Sequence, residues 1–326
     1  MLFDQNLEEI IFQRHQICQA DELIILSGYV GPNPISRLRE LPFDSKVIYG
    51  MYGDRGIQET LHSSLISLQN KIPQIDIFYS KIPVHSKCYV WKNLNSINYA
   101  LIGSANFSTN GLSTPYREVL AETTIDTFQP LSDYIDRVMR NSVICTDIEL
   151  SITRSRVPEV VLSSQVSKEC CKMSFLDRSG RVATASGLNW GQGQGHVAPN
   201  DAYIAIKKEY LSLYPKLFPL KQDFTTMINV GGRQNRHNDI VEIIWDDGKI
   251  MNGLLEGNQD ENGLKYPKQI SSFPKKSFMG EYLRNRLGVQ AGQMVTINDL
   301  KRYGRTDVDV SLLEEGVYKF DFSKNT

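Results

Sequence analysis

Two hydrophobic periodicities alternate along the first 150 residues, and they constrain the fold more than any other feature of the chain. The runs 22–27 and 46–50 are short, apolar and rich in β-branched residues, which is typical of buried strands. Apolar side chains recur at helical spacing over 57–68, and similar patterns cover 4–20 and 128–138. This alternation predicts an α/β domain in which a mixed sheet lies between helices and which closes near residue 150.

The second half has a different texture. Short strand-like runs lie at 202–206, 240–245 and 317–322, and Asp246-Asp247-Gly248-Lys249 is a strong hairpin-turn signal. A length of 326 residues suits two domains. We therefore predict a first domain over 1–150, a polar linker over 151–165 that Pro158 interrupts, and a mainly-β domain over 166–326.

One His, one Lys and one Asn are expected to meet at the end of a predicted hairpin. The run 84–90 is predicted to be a strand, so His85 and Lys87 would share one face. The run 97–102 is its predicted partner and leads into a Gly-Ser loop that carries Asn106. Lys and Asn supply donors for phosphate oxygens, and His can act as nucleophile or general acid near neutral pH. Each piece alone is commonly structural, but the ordered combination favours phosphodiester chemistry.

These residues resemble the signature of the phospholipase D superfamily, His-x-Lys followed by Gly-Ser-x-Asn. The matching positions are His85, Lys87, Gly103, Ser104 and Asn106. The acidic position of the signature falls on Lys92 instead, a departure also found in nuclease branches of the superfamily. The resemblance implies that Ser108 is the polar residue after the Asn, and that Glu118 is the downstream acid that orients the His.

The motif occurs once. The chain has five His, and only His85 is followed by a Lys two positions later. Because the family mechanism uses two His, one motif per chain implies that two chains pool their motifs at a two-fold axis. The resemblance also implies that the reaction needs neither a metal nor another cofactor, and the sequence has no His-Glu-x-x-His or Cys-x-x-Cys pattern.

Two segments of the second half are candidates for DNA contact. The segment 178–196 is rich in Gly, amides and basic residues, and the segment 259–276 carries a Lys cluster. A mobile Gly-rich loop and a solvated Lys face are the alternative interpretations, and 231–237 is a weaker third candidate. The predicted DNA-binding residues are Arg178, Arg181, Asn189, Trp190, Gln192, Gln194, His196, Lys265, Lys268 and Gln269.

A second resemblance covers this half. The runs 186–192, 199–204, 280–288 and 302–308 look like the C-terminal half of NgoFVII-type restriction endonucleases. That half is a β-pseudobarrel DNA-binding domain of the BfiI and EcoRII kind, whose two arms grip the major groove. The analogy implies an N-terminal arm around 178–196 and a C-terminal arm around 254–272.

Bulk properties add little about partners. The net charge is −1, five Cys show no pairing pattern, and no apolar run approaches the roughly 18 residues of a membrane span. The start of the chain is not a basic-then-apolar signal peptide, so we expect a cytoplasmic protein without membrane contact.

The sequence therefore predicts a site-specific, metal-independent restriction endonuclease that acts on double-stranded DNA as a homodimer through its nuclease domain. One alternative is a defence nuclease subunit that is inactive without a helicase-like ATPase, since the chain has no Walker motif of its own. A cognate DNA methyltransferase is a further expected partner. The other alternative is a phospholipase D-type phosphodiesterase acting on lipids, which the second half of the chain disfavours.

Overall fold

The computed structural model describes residues 1–114, 117–148, 170–195, 197–221 and 238–324. The chain divides into two compact units, with the main boundary after residue 162. The predicted linker over 151–165 lies outside the described residues, as do His196 and the third candidate loop over 231–237.

The first unit is built on a mixed sheet. Its strands are β1 (Leu2–Phe3), β2 (Glu22–Ser27), β3 (Asp44–Tyr49), β4 (Ile75–Ser80), β5 (Lys87–Asn93), β6 (Ser96–Gly103), β7 (Leu120–Glu122) and β8 (Ser142–Ile144). Among the described residues they form one eight-stranded sheet in the order β1-β7-β6-β5-β2-β3-β4-β8. Strands β2, β3 and β4 run parallel, whereas β5 lies antiparallel to β2 and forms a hairpin with β6. The predicted α/β class and the predicted hairpin are confirmed.

Helices accompany this sheet. They are α1 (Leu7–Gln13), α2 (His15–Cys18), α3 (Pro32–Arg37), α4 (Tyr52–Arg55), α5 (Glu59–Lys71), α6 (Thr109–Ser113) and α7 (Phe128–Arg140). The apolar side of α7, with Ile135 and Val138, packs on a sheet face formed by alternate residues such as Ile24 and Leu26. The intervening Leu23 and Ile25 are fully buried as well, so both faces of β2 are covered.

Two local predictions need correction. The predicted single helix over 4–20 is split at Arg14, whose guanidinium lies 4.5 Å from the centre of the Tyr99 ring. The predicted strand over 84–90 begins only at Lys87, so His85 lies in the preceding loop. The cause is that the Val84 N–H donates to the carbonyl oxygen of Gly50 at 2.9 Å, which draws this segment away from the ladder.

The second unit is mostly β. Its strands are β9 (Cys170–Ser174), β10 (Tyr203–Ala205), β11 (Asp239–Trp245), β12 (Ile250–Glu256), β13 (Gln259–Glu261), β14 (Leu264–Tyr266), β15 (Gln269–Ser272), β16 (Asp307–Glu314) and β17 (Val317–Asp321). Over the described ranges, seven of them form a sheet in the order β10-β15-β12-β11-β17-β16-β9, and β13 pairs with β14. The edge strands β9 and β10 also contact each other, so the sheet curls into a near-barrel. Its helices are α8 (Lys208–Leu213), α9 (Ser277–Leu287) and α10 (Ile297–Tyr303).

A bidentate ion pair ties α9 to the turn between β11 and β12. The two terminal guanidinium nitrogens of Arg286 donate to the Asp246 carboxylate, at 2.6 and 2.8 Å. Burial alone would raise the pKa of Asp246, but the hydrogen bonds from Arg286 and the Phe322 N–H outweigh it and hold that pKa below its usual value. The carboxylate therefore stabilises this unit in its charged form.

Candidate active site and candidate DNA-reading surface

The loop before β5 and the first residue of β5 bring His85 and Lys87 together. The Lys87 ammonium lies 3.1 and 3.2 Å from the two ring nitrogens of His85 and donates to the His85 carbonyl oxygen at 2.7 Å. The His85 side chain is exposed, whereas Lys87 is only 6% exposed. An exposed imidazole that contacts a buried ammonium group is open to a substrate from solvent.

The hairpin places Asn106 at the same end of the sheet. Lys87 is paired with Gly103, the last residue of β6, and the chain then turns through the loop that carries Asn106. Gly103 is required here, because a Cβ atom would lie 2.0 Å from the Val119 carbonyl oxygen. The site is thus built from both strands of one hairpin.

The orientation of the Asn106 amide is fixed by backbone chemistry. The Tyr29 N–H donates to Asn106 Oδ1 at 3.2 Å. Because a backbone N–H can only donate, the atom that faces it must be the amide oxygen, and the amide nitrogen is directed elsewhere. A side-chain amide held in this way presents N–H donors, which is what a phosphate oxygen requires.

Burial and charge compete at Lys87. Desolvation lowers the pKa of Lys87, and the negative charge of Glu118 acts in the opposite direction. Glu118 is half-buried and precedes β7, which pairs with β6. Its negative charge therefore favours the charged form of Lys87.

Ser108 lies behind the Asn106 loop. It is 3% exposed, and its hydroxyl oxygen accepts the Gly111 N–H at 3.2 Å as the N-cap of α6. It thus fixes the start of the helix that follows Asn106.

Three residues of the site were missed by the sequence analysis: Ser27, Gly28 and Tyr29. They follow one another at the end of β2, beside β5. A Cβ atom on Gly28 would lie 2.8 Å from His85 Cδ2, and the Tyr29 ring meets the His85 ring edge-on with 5.7 Å between centroids. A Gly directly after a buried strand was the available signal, but a single Gly does not show what approaches it.

The predicted DNA-binding residues separate by exposure. Arg178, Arg181 and Gln194 are exposed, the first two on a tight turn closed by the Asp177 carboxylate. Lys265 and Lys268 are exposed as well. These five side chains are accessible to a DNA backbone or to base edges.

Other predicted contacts are engaged within the protein. Trp190 is half-buried, and the Lys276 ammonium lies 4.4 Å from its ring centre. Gln192 is exposed but donates to the Gly292 carbonyl oxygen at 2.8 Å, and the half-buried Gln269 donates to Glu256 at 3.0 Å.

Asn189 is the clearest departure from the predicted DNA contacts. It is fully buried, its amide nitrogen donates to the carbonyl oxygens of Ala183 and Val295, and its oxygen accepts the Val295 N–H. Its polar atoms are used to join the predicted N-terminal arm to the loop before α10, so it braces this surface from inside.

A cavity of about 750 Å³ lies in the second unit, beside both predicted arms. Arg178, Tyr203, Lys207 and Gln259 are among the residues that line it. Over the described ranges, no group of three or more His, Cys, Asp or Glu side chains could hold a metal ion. Nor does any described helix combine the length and apolarity needed to cross a membrane.

Comparison with known families assigns both units. Residues 5–152 match the NgoFVII restriction endonuclease N-terminal PLD domain, and residues 163–314 match the NgoFVII C-terminal B3-like DNA-binding domain. Together they define a DNA-cleaving phosphodiesterase of the PLD superfamily joined to a mostly-β DNA-binding domain. The chain belongs to the NgoFVII restriction endonuclease family, and the predicted family and enzyme class are confirmed.

Solved structures are similar to part of the chain. NucT from Helicobacter pylori is 18% identical with a TM-score of 0.32, over 44% of this chain and 97% of NucT. Nuc from Salmonella typhimurium, a phospholipase D family member, is 15% identical with a TM-score of 0.29, over 40% of this chain and 89% of Nuc. A polyphosphate kinase from Porphyromonas gingivalis is 12% identical with a TM-score of 0.30, over 43% of this chain and 21% of the kinase. No curated protein matched the chain.

Proposed function

We propose that the protein is a restriction endonuclease that hydrolyses DNA at a specific short site, without a metal ion, through a covalent phosphohistidine. The observation that carries this proposal is the contact of the buried Lys87 ammonium with both ring nitrogens of the exposed His85. A neutral imidazole is a nucleophile, and a fixed positive charge beside it stabilises the charge that develops on the phosphoryl oxygens.

In the first step, a ring nitrogen of His85 attacks the scissile phosphorus and forms a P–N bond. The P–O bond to the leaving oxygen breaks, and the imidazolium of His85 of the partner subunit gives that oxygen its proton. Lys87 and the Asn106 amide nitrogen hold the non-bridging oxygens, while Ser108 supports the Asn106 loop. Glu118 orients the imidazole and supports its protonated form.

In the second step, the partner subunit's His85, now neutral, takes a proton from water. The water oxygen attacks phosphorus, the P–N bond breaks, and the electron pair returns to the His85 ring. Each His ends in its starting protonation state, so the cycle needs no metal and no other cofactor.

The homodimer follows from the need for two imidazoles. His85 is followed by a Lys two positions later, and none of the other four His has this neighbour. A two-fold interface places the same patch of both chains together, so one motif per chain completes the site.

The second unit selects the site in this proposal. Arg178, Arg181, Lys265 and Lys268 are exposed where the two arms are predicted, and they set register through phosphates and sequence through base edges. The segments 1–150, 151–165 and 166–326 serve as nuclease, linker and reader. A cytoplasmic location and a cognate DNA methyltransferase belong to the same proposal. The alternative is a nuclease subunit that is inactive without a separate helicase-like ATPase, and the sequence has no Walker motif of its own.

The test is cleavage of plasmids of varied sequence in EDTA by the wild type, His85→Ala and His15→Ala. His15 is a suitable control because its ring packs on Phe43, with 5.5 Å between ring centroids, and neither residue is among the predicted site residues. Discrete fragments from the wild type and His15→Ala, but none from His85→Ala, are expected. Cleavage only after magnesium is added would refute the phosphohistidine route. If both variants and the wild type are inert, addition of a helicase-like ATPase tests the partner-controlled form.

A mixing experiment tests the shared site. Wild type and His85→Ala are co-expressed at varied ratios. A site that needs both His85 side chains retains about one quarter of the activity at equal amounts, whereas independent sites retain about one half. A linear dependence on the wild-type fraction would exclude the composite site.

A further inference from the structure

We propose that Ser27 is a positioning residue of the nuclease site: its hydroxyl joins the loop after β2 to the Asn106 loop, and so holds the Asn106 amide towards the scissile phosphate. This inference rests on the proposed function, because it concerns how Asn106 is presented to the phosphate. Ser27 ends β2 and is fully buried.

The Ser27 hydroxyl bonds to both loops. Its oxygen accepts the Phe107 N–H at 2.9 Å, and its proton is donated to the Tyr29 carbonyl oxygen. Asn106 Oδ1 lies 3.4 Å from the same hydroxyl. The hydroxyl has one proton, and the shorter contact with Tyr29 claims it, so the effect on Asn106 is transmitted through the two backbones.

Those two backbones are the ones that define the amide. Phe107 is the residue after Asn106, and the Tyr29 N–H is the donor that fixes Asn106 Oδ1. A further link runs from the Gly31 N–H to the Phe107 carbonyl oxygen at 2.8 Å. Ser27 therefore sets the distance between the amide oxygen and its donor, from the side of the loops that faces away from solvent.

The fold supplies a matched control. Ser80 ends β4 as Ser27 ends β2; it is also fully buried, and its hydroxyl donates to the carbonyl oxygen two residues later, at Ile82. Ser27 and Ser80 thus share strand position, burial and the bond to the following loop. The bond to the Asn106 loop distinguishes Ser27.

The experiment measures the wild type, Ser27→Ala, Ser80→Ala and His85→Ala with DNA and with bis(4-nitrophenyl) phosphate, a small diester that needs no sequence recognition. We expect Ser27→Ala to lower kcat about 10- to 100-fold with KM little changed. The reason is that a misdirected Asn106 amide stabilises the transition state less, while substrate binding is little affected. Ser80→Ala keeps kcat near the wild-type value. If Ser27→Ala does not fold, Ser27→Cys takes its place in the experiment. The Cys thiol fills the same space but is a weak donor and acceptor, so we expect the same loss of kcat.

A double-mutant cycle with Asn106→Ala separates positioning from general damage. If Ser27 acts through Asn106, adding Ser27→Ala to Asn106→Ala changes kcat less than about two-fold. Equal kcat losses in Ser27→Ala and Ser80→Ala, or losses that multiply with that of Asn106→Ala, would overturn the positioning role. Cleavage by His85→Ala at the wild-type rate would instead overturn the proposed function. The ratio between the kcat values of Ser27→Ala and Ser80→Ala would still decide the role of Ser27.

Discussion

Gly28→Ala is the sharpest single test of the packing around His85. The added Cβ atom would stand 2.8 Å from His85 Cδ2, 3.3 Å from His85 Cα and 3.4 Å from the Lys87 ammonium. Carbon atoms in contact prefer about 3.5–4.0 Å, so the His85 ring has to retreat by about 0.7–1.2 Å. The φ angle of Gly28 is outside the left-handed region, so the contact with His85 is the expected cause of any effect.

In the proposed reaction, a displacement of His85 by about 1 Å costs about 100-fold in rate, because attack on phosphorus depends on distance and alignment. The same overpacking lowers the free energy of unfolding by about 1–3 kcal/mol, which leaves the protein folded at 25 °C. We therefore expect a folded variant with a kcat about 100-fold below that of the wild type and a similar DNA affinity.

The assay is single-turnover cleavage at saturating enzyme, with a binding titration and thermal unfolding run on the same preparations. Single turnover isolates the chemical step from product release. A Gly28→Ala variant that cleaves at the wild-type rate would show that the His85 ring is not held where the structure has it. A loss of DNA binding equal to the loss of rate would refute the argument from alignment.

Three further outcomes follow from the structure. Glu118→Gln removes a negative charge that raises the pKa of Lys87, so we expect that pKa to fall and the alkaline limb of the pH–rate profile to move to lower pH. An unmoved alkaline limb would contradict the coupling between Glu118 and Lys87. Asn189→Ala leaves buried backbone groups unpaired and should destabilise the second unit by about 2–4 kcal/mol in urea unfolding, whereas Gln192→Ala on the exposed side should cost less than about 1 kcal/mol. The folded-state pKa of Asp246 is below its usual value, so its contribution to the free energy of unfolding is present above about pH 4 and is lost as pH falls through the folded pKa. In Asp246→Asn, the free energy of unfolding of the second unit should therefore depend less on pH across that window.

The fold class was predictable because its cause is local. Apolar residues that must face a sheet or a helix surface recur with the period of the element, so β2 coincides with the predicted strand and α7 with a predicted helix. The start of β5 was not predictable in this way, because it is decided by the bond from the Val84 N–H to the Gly50 carbonyl oxygen, far back in the chain.

The candidate site was predictable only in part. Lys87 belongs to the β5–β6 hairpin, and His85 and Asn106 lie in the loops next to its paired ends, so their proximity follows from strand pairing. Ser27 and Gly28 reach the site from an earlier strand, and Ser27 lies 79 residues before Asn106, a separation that no local pattern reveals. Asn189 was predicted to contact DNA but is fully buried. A Gly- and amide-rich composition does not distinguish an amide that faces DNA from one that binds backbone groups inside the protein.

The division of the site between a local hairpin and a distant strand has a consequence for folding. The β5–β6 hairpin can form early, because its contacts are close in sequence, and it brings together Lys87 and the flanking residues His85 and Asn106. The amide acquires its orientation only when β2 has docked beside β5 and delivered the Tyr29 N–H. Catalytic competence should therefore be a late event. In refolding experiments, the first cleavage should lag behind the recovery of strand structure, and a newly made chain should not cleave DNA until its central sheet is complete.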